Sequence, residues 1–328
     1  MGSYLTPPVY AAFVWWFSTG AVLLLVGRAG RGGALKMFSA GALLLAGLYA
    51  VAISADATTA SGAYVAFTGT ILLWGAQEIA FLAGWVTGPL PERCPDDARG
   101  LRRLNLALQA ILYHEVALLA CGAAILALTS GRDNATALWT FAALWVLRQS
   151  AKINLFLGVP VTNDELMPEP VQFLKSYFSR KPVSLFFPLS VTLSTAALVI
   201  MIQRLVEVAA SPFEIVSLTL VSTLFALGVI EHWFMLLPLP AITLWGWGMR
   251  SQASEGGMEQ GPDIKNDVES PQLVAIVNVG ETAPPRSVGA RQRLEDEFRQ
   301  RFRELHPRTD LGTGLREAEP AATINGRT

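Results

Sequence analysis

Seven stretches of mostly apolar residues follow one another along the chain, near 8–26, 36–55, 62–87, 106–130, 135–157, 184–203 and 213–240. A helix rises 1.5 Å per residue, so about 20 residues cross the hydrocarbon core of a bilayer. That core offers no water to a peptide group, and each segment must satisfy its own backbone by coiling into an α-helix. The predicted fold is therefore an all-α integral membrane protein, a bundle of about seven transmembrane helices. The third, fourth, fifth and seventh stretches carry polar residues, yet each is expected to be apolar enough to insert.

Charged residues make up 16% of the chain, against about 25% in soluble domains, and they are unevenly spread. Residues 1–249 form the predicted transmembrane domain; residues 250–328 are a polar tail rich in Gly, Pro and acidic side chains, a composition that favours disorder. The tail's apolar run Leu273–Val279 is too short to span. Further on, Leu294, Phe298, Phe302 and Leu305 recur at helical spacing within ARQRLEDEFRQRFRELH. They predict a short amphipathic helix near 290–306, expected to dock on a partner or on the membrane surface.

Basic residues alternate between the links. Arg28, Arg31 and Lys36 follow the first span; Arg93, Arg99, Arg102 and Arg103 follow the third; Lys175, Arg180 and Lys181 follow the fifth. The other links hold Asp56, then Arg132 beside Asp133, then Arg204 beside Glu207. Basic links stay in the cytoplasm, so the N-terminus is expected outside and the tail inside. Trp15, Trp16, Trp85, Trp245 and Trp247 are expected as interfacial anchors. A net charge of −1 gives no sign of a nucleic-acid partner. Cys94 and Cys121 lack metal-ligand spacing and are not expected to form a disulfide. The first apolar stretch lacks a basic leader and is expected to be retained.

Several polar residues fall deep inside the apolar stretches: Gln77 and Glu78 in the third, Gln109, Tyr113, His114 and Glu115 in the fourth, Arg148, Gln149, Lys152 and Asn154 in the fifth, and Glu231 and His232 in the seventh. Counting from the expected cytoplasmic ends at Gly88, Leu106, Gly158 and Pro240, Glu78, His114, Arg148 and Glu231 all lie roughly 12–15 Å deep. One ionised side chain near mid-membrane costs about 2.5–3.5 kcal/mol on the insertion scale. The low-energy arrangement is a cluster in which Arg148 and Lys152, four apart on one face, pair with the glutamates. Such a cluster either fixes helix register or forms a polar intramembrane pocket; intramembrane ionisable residues are functional candidates by default.

Three kinds of occupant fit or fail on residue chemistry. Glu78, His114, Glu115, Glu231 and His232 are possible metal ligands, but the neighbours His114–Glu115 and Glu231–His232 diverge by about 100° around a helix and lack the Glu-x-x-His spacing of di-iron bundles. A tetrapyrrole could be ligated by His114 or His232 against an aromatic wall of Trp74, Phe81 and Trp85. Retinal would need a lysine in the last helix, and residues 213–240 contain none. No phosphate loop, HExxH or Ser-His-Asp order is present, and the inverted repeats or broken helices of a transporter are not evident.

The segments VWWFSTG (14–20), WGAQEIAFLAGWVTGP (74–89), QAILYHEVALL (109–119), LWVLRQSAKINLFLGV (144–159) and PVSLFFPLSVTLST (182–195) resemble the photosynthetic-complex assembly protein family of the PuhE type, over about residues 1–245. The resemblance implies a bacterial inner, photosynthetic membrane, and a role in bacteriochlorophyll supply or in assembling the reaction centre with its core antenna. It implies reaction-centre or antenna subunits, or bacteriochlorophyll biosynthesis enzymes, as partners. Combined with the polar residues, it leads to a non-catalytic factor holding bacteriochlorophyll or a precursor. The alternative is a membrane enzyme, metal-dependent or not, acting on a tetrapyrrole or isoprenoid intermediate.

Overall fold

The computed structural model describes residues 2–27, 33–162, 164, 167–207, 209–237 and 244–247. The tail with its predicted helix, and Arg28 and Arg31 of the first link, lie outside the described residues. Seven long helices follow in order: α1 (Gly2–Val26), α2 (Gly33–Ser54), α3 (Ala60–Leu82), α4 (Gly100–Thr129), α5 (Thr136–Leu157), α6 (Phe186–Glu207) and α7 (Pro212–Phe234). Among the described residues there is no strand; one isolated bridge joins Val159 and Arg180. The chain is an all-helical membrane protein.

Six of the seven helices are long and apolar enough to cross a membrane. The exception is α5, contrary to expectation. Its 22 residues are long enough at 1.5 Å each, but Arg148, Gln149, Lys152 and Asn154 lower its apolarity. Helix α5 packs against α3, α4, α6 and α7, and this protein surround holds its polar side chains.

Helix α3 touches α1, α2, α4, α5 and α7 and is the hub of the bundle. The α2–α3 contact is closest where small residues meet. A Cβ built on Gly47 would lie 2.7 Å from the carbonyl oxygen of Gly69, so the two backbones pass nearly in contact, as small residues allow between membrane helices. Gly228 of α7 is pressed in the same way by Leu147 of α5. Ala11, Phe67, Leu220 and Leu224 form one buried cluster among α1, α3 and α7; Val51, Leu73, Ile125 and Phe141 form another among α2, α3, α4 and α5.

Helix ends on one face depart from the sequence expectation. Helix α3 stops at Leu82 and not near residue 87. Gly84 (φ +79°) takes the left-handed turn, and the amides of Gly84 and Trp85 close back on the carbonyls of Phe81 and Ala80, a Schellman ending. Helix α4 begins at Gly100, so Arg102 and Arg103 belong to its first turn. Helix α7 ends at Phe234, six residues before Pro240.

On the face carrying the α2–α3 and α4–α5 links, Asn134 is the fastener. Its Nδ2 donates to the carbonyls of Ser54, Ala57 and Gly62 (2.9–3.2 Å), and its Oδ1 accepts from Thr136 N. Arg132 pairs with Asp56 across the same links. Buried donors and acceptors left unmade cost about 1–3 kcal/mol. Asn134→Ala is expected to lower stability by about 2 kcal/mol, read as a fall in the melting midpoint of detergent-solubilised protein; an unchanged midpoint would show the links held by other contacts.

The opposite face is built from the α3–α4 and α5–α6 links. The latter contains a 3-10 helix, Glu169–Tyr177. Arg103 donates to the carbonyls of Phe156 and Tyr177 and to Ser179 Oγ, with its guanidinium over the Phe156 ring. Asp164 accepts from Thr162 Oγ1 (2.7 Å) and Arg180 (2.6 Å). Partial burial raises the Asp164 pKa, but these hydrogen bonds and the guanidinium charge outweigh it, and the carboxyl titrates below its ordinary range. A depressed carboxylate contributes stability above its unfolded pKa of about 3.9 and loses it as pH falls through the folded value. Asp164→Asn is therefore expected to melt below the parent protein near neutral pH, with the gap narrowing in melts taken as pH falls below the unfolded carboxylate value of about 3.9.

Candidate functional site

Ionisable side chains from four helices meet in the end of the bundle where α3 and α7 stop. Arg148 donates to Glu78 Oε2 at 3.3 Å, linking α5 to α3. Lys152, one turn further along α5, pairs with Glu115 of α4; Gln149 donates to the other oxygen of Glu115 at 2.6 Å. Glu231 of α7 lies within electrostatic reach of Arg148 and Glu78 and accepts from the Trp15 indole of α1 at 3.0 Å. Lys152 interacts electrostatically with both Glu115 and Glu78, so the two ion pairs form one network.

The expected common depth of 12–15 Å rests on longer helices than those observed. It counted from Gly88 and Pro240, and the helices end earlier: Glu78 stands four residues before the end of α3 and Glu231 three before that of α7. Both lie within the last turn or so of their helices, about 6 Å or less from the end.

The two histidines face different surroundings. His232 is buried and fully engaged, with Nδ1 2.7 Å from the Gly228 carbonyl and Nε2 2.8 Å from Ser150 Oγ. Asn154 continues this line to Ser190 of α6 at 3.0 Å. His114 is fully buried with its ring stacked on Phe81, centroids 4.2 Å apart, and neither ring nitrogen has a hydrogen-bond partner among the described residues. Trp145 Nε1, Arg148 Nε, Asn154 Oδ1 and Ser222 Oγ are likewise buried and unsatisfied. Native proteins leave few such groups, and each calls for an explanation such as an absent ligand or water. Among the described residues, no three of His, Cys, Asp or Glu converge as metal ligands.

The three residues of the expected aromatic wall have different surroundings. Trp74 packs edge-on against Phe141, Phe81 belongs to the His114 stack, and Trp85 lies beyond the Schellman turn and is exposed. The early end of α3 removes the third residue from the stripe. Trp15 and Trp245, expected as interfacial anchors, make contacts within the protein. Trp245 is buried against Trp15 and donates to the Trp16 carbonyl, so residues 244–247 lie against α1. Sequence reasoning missed Trp15 and Ser150 as partners of Glu231 and His232, since nothing local in the sequence marks contacts 216 and 82 residues apart.

The segment following the Schellman turn is lodged against α4. Thr87 and Gly88 are buried, and the backbone N–H of His114 donates to the Thr87 carbonyl at 3.1 Å. A Cβ on Gly88 would lie 1.9 Å from the Gln109 carbonyl oxygen and 2.7 Å from the Ala110 carbonyl carbon. Irregular backbone at such a place is tolerated where protein buries it, and this segment sets the position of His114.

No solved structure matches the chain. An uncharacterized 30.4 kDa protein from Rhodobacter capsulatus, named for the puhA 5′ region, is 40% identical over 243 residues, covering 73% of this chain and 88% of that one. A family model described as "Protein of unknown function (DUF3623)" matches residues 1–256. An all-helical membrane bundle with a polar network in one end, the chain belongs to the DUF3623 family.

Proposed function

We propose that this protein is a membrane factor for assembly of a photosynthetic complex, supporting bacteriochlorophyll supply or assembly of the reaction centre with its core antenna. In this reading Glu78, His114, Glu115, Arg148, Lys152, Asn154, Glu231 and His232 surround a site that receives a pigment or precursor. The observation that carries it is the set of unspent polar groups beside the ion pairs, above all the fully buried His114 with two unsatisfied ring nitrogens. Placement in a photosynthetic membrane rests on the sequence resemblance to the PuhE type, and the puh designation in the relative's name accords with it. The same reading takes residues 1–249 as the membrane domain and 250–328 as a cytoplasmic tail, with the N-terminus periplasmic. The basic side chains on the α3–α4 and α5–α6 links favour that orientation.

The test is pigment and precursor analysis of a strain lacking the gene, complemented with variants. The deletion is expected to lower assembled complex or to accumulate a bacteriochlorophyll precursor. Glu78→Gln and His114→Ala are expected to remain in the membrane at near-normal amounts and restore less than about a tenth of the complex. Normal pigment and complex in the deletion strain would overturn the assignment. Loss of both variants from the membrane would make the network a structural one.

A further inference from the structure

Away from the polar network, the α3–α4 and α5–α6 links form an open pocket of about 360 Å³ lined by Arg93, Thr162, Asp164, Lys175, Ser176, Phe178 and Arg180. This size falls in the range of small-molecule sites. Three cationic side chains and one carboxylate line it, and that carboxylate is already engaged. Asp164 accepts from Thr162 and from one Arg180 nitrogen, while Arg180 Nε reaches Thr162 at 3.3 Å. This clamp fixes Arg180 and leaves the cavity with an excess of positive charge.

The walls are held from behind. Ser176 Oγ accepts from Cys94 N at 2.8 Å, Tyr177 donates to the Glu92 carbonyl, and Val159 N–H donates to the Ser179 carbonyl. Arg93 and Lys175 are thereby presented by two different links that are stitched together. Basic links alone would satisfy the charge asymmetry of a membrane protein anywhere on this face; they do not require convergence on one concave, pre-formed cavity.

We infer that this cavity binds a phosphate group, carried either by an anionic lipid headgroup or by a soluble phosphorylated compound. A guanidinium fork and an ammonium are the usual partners of phosphate oxygens, and such charge-assisted bonds are the strong ones. Phe178 supplies an apolar wall for the carbon skeleton attached to the phosphate. The cavity is chemically distinct from the polar network within the helices, and its assignment does not depend on the assembly role.

Full-length protein in phosphatidylcholine nanodiscs is titrated with inorganic phosphate by calorimetry. In parallel, detergent-purified protein is offered equal phosphatidylglycerol and phosphatidylcholine, and retained lipid is read by native mass spectrometry. The variant R93Q/K175Q removes two exposed or half-exposed cations of the cavity. R99Q/K181Q removes the same charge from the same face outside it. Loss of two charge-assisted bonds predicts roughly a 10-fold or greater weakening in the first variant and less than about 3-fold in the second.

Preferential retention of phosphatidylglycerol, lost in R93Q/K175Q alone, identifies a lipid-headgroup site. Phosphate binding without lipid preference, lost in the same variant, identifies a soluble ligand. Neither probe binding to the parent protein, or equal weakening by both variants, would overturn the inference.

Discussion

Gly88→Ala is expected to be among the most damaging single-methyl changes this chain can suffer. The added carbon would sit 1.9 Å from the Gln109 carbonyl oxygen. Both sides of that clash are backbone, so no side-chain rotation relieves it. Either the Thr87–Gly88 segment withdraws or α4 bends, and each breaks the bond from His114 N–H to the Thr87 carbonyl. Overpacking costs about 1–3 kcal/mol in ordinary cores, more where nothing can yield; about 3 kcal/mol or more is expected here. Gly75→Ala is the control. Its Cβ would meet only Leu43 Cδ1 at 3.9 Å, and alanine is the better helix former by about 1 kcal/mol. The comparison is made by the amount of each variant in the membrane fraction and by melting in detergent. Equal behaviour of the two would mean that the segment is not lodged against α4.

That contact also marks where the sequence stops being legible. Apolar stretches locate the seven described helices, six of them apolar enough to span, because the hydrocarbon constraint acts on each segment independently of its neighbours. The same constraint cannot say where α3 ends. AGWVTGP continues the apolar run, and only the left-handed Gly84 and the fit of Gly88 onto α4 explain why the chain leaves the helix at Leu82. That early end takes Trp85 out of the α3 stripe and shortens the helix beyond Glu78. Candidate charged residues could be picked out because each is costly in lipid wherever it lies. Which oxygen meets which nitrogen depends on helix rotation, which composition does not encode. Trp15 illustrates the limit: its sequence position suggested an interfacial anchor, and packing of α1 on α7 makes it a donor to Glu231.

The two ion pairs are expected to differ sharply when cut. Lys152 and Glu115 are about one-fifth exposed on both sides, and Gln149 completes the shell around Glu115. Breaking such a pair from one side leaves a buried charge without its partner, at about 3–5 kcal/mol. Lys152→Met and Glu115→Gln are each expected to melt well below the parent protein. The double variant should recover much of the loss, since no lone charge then remains buried. Arg148 is 41% exposed and meets Glu78 at 3.3 Å; after discounting for that exposure, the pair is worth less than about 1 kcal/mol. Glu78→Gln should therefore leave the melting midpoint nearly unchanged. A pair that contributes little to stability yet keeps a guanidinium among the helices is where loss of function can be separated from loss of fold. If Glu78→Gln melts as low as Lys152→Met, the two pairs act as one structural unit, and the unsatisfied groups around them lose their claim to a ligand.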